Sequence, residues 1–200
     1  VFKFCRSMGR LTWLMDTFPQ VAHVVVLRSP ASQWSSYWGQ WKKYGNPWFM
    51  MAPYRVLGNN LETPLVRRAA QSLGCDLDAL NRLAMETESI ALDSIQKIPI
   101  EASYRVHLAH WTLSLMSLNE RLDAIIDSDK LSYSSSYAQE CAELLTRITG
   151  LYPDFSDAHP TDPGKFVCTL AGGRGADPLE GMDPDGATIA HHSAVAFTSR

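Results

Sequence analysis

Little in this chain is in excess. Its 18 basic residues nearly balance 21 acidic ones, leaving a formal net charge of −3. A chain so close to neutral offers no basic field, so nucleic acid is not expected as a partner. The four cysteines (Cys5, Cys75, Cys141 and Cys168) are far apart and form no Cys-x-x-Cys or Cys/His ligand spacing. That argues against a zinc site or a disulfide framework, and no metal is expected; a reducing setting, the cytoplasm, is. No apolar run is long enough to cross a bilayer. There is no internal repeat, and no Gly-rich loop with Lys and Ser or Thr follows a strand-like run. No signal peptide is visible and there is no initial Met; the chain opens inside what reads as a strand, Val1-Phe2-Lys3-Phe4, as a truncated sequence would, and a missing start could hide a targeting signal. What is there is 46% hydrophobic and 20% charged over 200 residues, enough to bury a substantial core.

The chain is organised around His23-Val24-Val25-Val26-Leu27-Arg28-Ser29-Pro30. The apolar, β-branched run predicts a short strand buried on both faces. Ser29-Pro30 breaks it, because the residue before a proline is held extended and proline has no N–H to donate. Ser29 suits the cap of a following helix and Pro30 its first turn, so a helix is expected from about Ala31 to Tyr44. A cation, Arg28, then stands at the carboxyl end of a strand, beside a helix N-terminus whose unpaired N–H groups favour anions.

Elsewhere the apolar spacing predicts mostly helices. Ser7 is a good N-cap, and Met8, Leu11, Leu14, Met15 and Phe18 share one helical face. With the flanking strands this makes a βαβ unit, hence parallel strands near residues 1–4 and 21–27. Gly45 to Pro53 reads as a loop whose large apolar residues are either buried or form an acceptor wall. Helices are expected at 61–73, at 76–96 as one rod, and from Tyr104 to Leu122. His107 and His110 are three apart on the last, with no third ligand evident, and read as ordinary helix residues. A strand at 124–127, a turn at 128–132 and a helix from Ser134 to Thr149 closed by Gly150 complete the ordered part. From Pro160 onward Asp, Pro, Gly and Ala dominate, which predicts an irregular tail over 159–200.

The run of Arg28, Pro30, Ser36, Tyr37 and Trp38 resembles, without a gap, the 3′-phosphate motif of the sulfotransferases that use 3′-phosphoadenosine-5′-phosphosulfate (PAPS). That motif is an apolar strand, Arg, a polar residue, Pro, five residues, then Ser followed by aromatics. The later order of long helix, short strand, Asp129-Lys130-Leu131 and a helix ending at Gly150 is similar in layout. The resemblance spans about residues 1–158, and only its first block is specific. It implies that Arg28 and Ser36 grip the 3′-phosphate. Arg6, at the end of the preceding strand, would stabilise sulfuryl or phosphate charge, or else is a solvated loop residue. No His stands where the cytosolic small-molecule members of the family carry a catalytic one, so the general base is unassigned.

The resemblance implies an α/β fold, a P-loop NTPase-like three-layer parallel sheet, helix-rich and lacking its N-terminal strand–loop–helix. It divides the chain into a partial sulfotransferase domain, 1–158, and the tail. The implied reaction transfers a sulfuryl group from PAPS to a hydroxyl or amine on a carbohydrate, lipid or small molecule. The isolated chain would lack the 5′-phosphosulfate loop, and with it half of the cosubstrate site. Two other classes stay open: a P-loop kinase-like nucleotide-binding protein, and a non-catalytic α/β interaction protein.

Overall fold

The computed structural model describes residues 8–116, 118, 121–156 and 158. The expected strand at residues 1–4, Cys5, Arg6 and the tail at 159–200 lie outside them. After a 3₁₀ turn at Met8–Arg10 the described elements are α1 (Leu11–Thr17), β1 (Val24–Leu27), α2 (Pro30–Tyr44), α3 (Trp48–Gly58), α4 (Pro64–Ser72), α5 (Leu77–Met85), α6 (Glu88–Gln96), α7 (Ile100–Leu115), β2 (Ala124–Asp127), α8 (Ser128–Tyr133) and α9 (Ser135–Thr149). The chain is therefore a helix-rich α/β protein with a parallel pair of strands. It forms two compact units, one of Val1–Ser32 with Leu118–Arg200, the other of Gln33–Ser117.

In the first unit β1 and β2 run parallel, in register from Val24↔Ala124 to Leu27↔Asp127. The parallel direction is as expected, with residues 21–23 left outside the strand, but β1 is not buried on both faces: Val25 points into the core and Val26 is 61% exposed. Val25 packs on Leu11 and Met15 of α1, with Leu27, Leu118 and Leu122 around them. Leu118 and Leu122 thus serve this core and not an extension of α7, which stops at Leu115. The expected turn at 128–132 is instead a short helix, α8, because Asp127 accepts the Asp129 and Lys130 N–H groups at 2.9 and 3.1 Å and so caps it. Ser134 caps α9 through the Tyr137 N–H, and Gly150 ends it in the left-handed region at φ 73°.

The second unit is built round α3. Met51, Tyr54 and Leu57 meet Leu80 and Leu83 of α5, Ala91 and Ile95 of α6, and Val106 and Ala109 of α7. Two expectations fail here for physical reasons. The loop expected at 45–53 is largely helix, with Pro53 inside it; burial of Met50, Met51, Pro53 and Tyr54 outweighs the N–H that proline lacks. The single rod expected at 76–96 is two helices, broken where Glu86 and Thr87 turn extended. An unbroken 21-residue helix would run about 30 Å at ~1.5 Å per residue, far past the end of the 11-residue α3. The break lets both halves stay against α3. On α7 the buried side chains are Ser103, Val106, His107 and Ala109, while Leu108 and Trp111 are half-buried.

Tyr54 is 2% exposed, and burial pushes its phenol from 10.0 up to about 12. The raised value gives a pH dependence of definite sign. Below about pH 10 the phenol is protonated in both states and contributes its full stabilisation. Between 10 and about 12 the unfolded chain ionises first, so stability falls as pH rises. Two pKa units correspond to about 2–3 kcal/mol. Urea unfolding at about pH 9 and about pH 12 should show this loss, and Tyr54→Phe should reduce it. An equal alkaline loss in the variant would mean that Tyr54 is not buried as a neutral phenol.

Candidate functional site

The carboxyl ends of β1 and β2 lead side by side into α2 and α8, and the register dictates what meets there. Leu27 pairs with Asp127, so two residues further on Ser29 comes level with Asp129. The Asp129 carboxylate spans both turns. Its Oδ2 accepts the Ser29 N–H at 2.8 Å, and its Oδ1 lies 3.4 Å from Arg28 Nε. The ion pair is partly sheltered, with the Arg28 side chain 30% and the Asp129 side chain 16% exposed. Ser29 Oγ in turn accepts the Ser32 N–H at 3.2 Å, the capping role its position before Pro30 implies. Behind this node Tyr137 of α9 accepts the Asp127 N–H at 3.0 Å, and Lys130 Nζ sits 4.5 Å from the centre of the Tyr137 ring. Burial lifts the Tyr137 phenol to about 12, so it stays a neutral partner there.

Arg28 is thus where the sequence places it, at the end of a parallel strand and at the mouth of a 15-residue helix. Ser36 is the seventh residue of that helix, about 9 Å along its axis from Pro30 at ~1.5 Å per residue. Ser35 and Ser36 differ as their angular offset requires, Ser35 being buried and Ser36 half-buried. Ser36 belongs to the second unit and Arg28 to the first. Asp129 is the member that motif reading missed. No sequence signal placed it, since Asp129 comes level with Ser29 only through the register of β1 on β2.

The aromatics after Ser36 are half-buried and join two different ring groups. Tyr37 stacks on Phe49 at 5.3 Å and meets the His107 ring edge-on at 5.6 Å. His107 is 1% exposed and also packs on Trp34 and Tyr104, so it belongs to an aromatic core. Burial holds the His110 imidazole below its ordinary value. Trp38 lies edge-on to Trp41 at 4.8 Å, with Lys42 Nζ 4.7 and 4.6 Å from their ring centres. Among the described residues no group of three His, Cys, Asp or Glu is disposed to hold a metal, and no helix is long and apolar enough to cross a membrane.

Among the described residues of the first unit there are hollows away from this node. One, of about 460 Å³, lies at the amino end of the strands beside His23, Asp123 and Arg121. Another, of about 550 Å³, runs beside Ser132, Tyr133, Ser135 and Tyr152. Neither is lined by Arg28 or Ser36. Comparison with protein-family models, with curated proteins and with solved structures finds no match to this chain.

Proposed function

We propose that the chain is part of a PAPS-dependent sulfotransferase with a P-loop NTPase-like parallel sheet. The observation that carries this reading is Arg28, at the carboxyl end of β1 and two residues before the capped start of α2. Ligands of open parallel sheets bind at that end. A guanidinium there offers a planar fork of donors that matches phosphate oxygens. The role given to Ser36, a neutral donor to the same phosphate, rests on the motif alone, and that given to Arg6 on its place in the sequence at the end of the strand-like run before α1.

The reaction is an in-line displacement. An acceptor hydroxyl or amine attacks sulfur, and the bond from sulfur to the 5′-phosphate oxygen breaks. Adenosine 3′,5′-bisphosphate leaves with that bonding pair, and the acceptor's proton passes to a base. Arg28 holds the nucleotide while this happens, which converts binding into orientation.

A competition experiment separates this reading from a kinase-like one. Adenosine 3′,5′-bisphosphate should displace a fluorescent 3′-phosphorylated nucleotide from the protein, and ATP at the same concentration should not. Displacement by ATP alone would favour a nucleoside triphosphate site, and retention of the probe against both would leave no nucleotide site at Arg28.

A further inference from the structure

The donors at the end of β1 already face an anion, and it is the protein's own. The Asp129 carboxylate accepts the Ser29 N–H at 2.8 Å and pairs with Arg28 Nε at 3.4 Å. Both oxygens are engaged, one on each donor. The Asp129 side chain is only 16% exposed, so its charge is poorly screened by water.

Taking Arg28 as the nucleotide-phosphate ligand, we propose that Asp129 is the residue that sets the specificity of this site. It acts as a built-in counter-anion that an incoming phosphate must outcompete for Arg28. A free inorganic phosphate brings only its own charge, which the carboxylate opposes at short range. A nucleotide phosphate brings the further contacts of its base and ribose, and can draw the guanidinium away from Asp129. The carboxylate therefore discriminates against small anions that would otherwise fill the site, and it weakens retention of the bisphosphate product after transfer.

Asp129→Asn distinguishes this role from a structural one. The asparagine carbonyl can still accept the Ser29 N–H, so the turn keeps its bond. The amide nitrogen then faces Arg28 with a donor instead of a charge, which removes the Asp129 carboxylate's hold on the guanidinium. Titration calorimetry should be run with adenosine 3′,5′-bisphosphate, adenosine 5′-monophosphate and inorganic phosphate, on the wild-type chain, Asp129→Asn and Arg28→Ala. Thermal unfolding of each variant checks that it is folded, and Asp129→Glu, which keeps the charge, should behave more like the wild type.

The expected result is that Asp129→Asn tightens the bisphosphate about tenfold, the ratio that about 1.4 kcal/mol represents. It should also bring inorganic phosphate binding into a measurable range, and leave the monophosphate unchanged. Suppose instead that the wild type prefers the bisphosphate and loses that preference in Arg28→Ala, while folded Asp129→Asn binds it equally or more weakly. Asp129 then only holds the turn, and the proposal for it fails while the reading of Arg28 stands. If neither protein distinguishes bisphosphate from monophosphate, both fail.

Discussion

Gly58→Ala should destabilise the second unit by about 2 kcal/mol or more, although alanine is the better helix former by about 1 kcal/mol. Gly58 is the last residue of α3, where α3 lies directly on α5. A Cβ built there would stand 2.3 Å from the Leu80 carbonyl oxygen and 2.6 Å from Ala84 Cβ. Neither obstacle is the tip of a flexible side chain that could swing aside. Relief requires α3 and α5 to part, and with them Leu57, Leu80 and Leu83, all 1% exposed or less. Against a typical domain stability of about 5–15 kcal/mol, a loss of this size moves the unfolding transition plainly. Urea denaturation followed by tryptophan fluorescence is the measurement. A gain in stability, as helix propensity alone would give, would contradict the contact between the two helices.

The strand pair and the start of α2 were legible because each rests on local rules that agree. The β-branched run at 24–26, the Ser29-Pro30 break and the serine cap all point to one geometry, as do Ser134 and Gly150 at the two ends of α9. Legibility was lost where tertiary burial overruled a local signal. Asn46-Pro47 and Pro53 read as a loop, yet Met50, Met51 and Tyr54 are buried in a helix. The break at Glu86-Thr87 has no glycine or proline to announce it, and follows from the need of α5 and α6 to stay against a short α3. The candidate site divides in the same way. Arg28 could be placed from its own neighbours, since it simply ends a strand. Asp129, 101 residues later, became its partner only once the register of β1 on β2 was known.

Arg28→Ala should weaken binding of adenosine 3′,5′-bisphosphate by about ten- to a hundredfold. Losing a charge-assisted contact costs roughly 1.5–3 kcal/mol, and each 1.4 kcal/mol is about tenfold in affinity. Arg10→Ala, at an exposed position in the 3₁₀ turn before α1, should leave it unchanged. Ser36→Ala removes a neutral donor and should cost about 1 kcal/mol. Ser35 is 4% exposed, so its replacement should register in stability and not in nucleotide affinity.

The central claim, that Arg28 serves a nucleotide 3′-phosphate, is tested most directly by crossing the substitution with the ligand. Affinities of the wild-type chain and Arg28→Ala are measured by calorimetry for adenosine 3′,5′-bisphosphate and for adenosine 5′-monophosphate, which lacks only the 3′-phosphate. The account predicts a loss of about ten- to a hundredfold for the first ligand and almost none for the second, because that contact is then absent from both proteins. Equal losses for the two ligands would show that Arg28 acts through the fold, as the Asp129 partner that ties one turn to the other, and would contradict the assignment of the site.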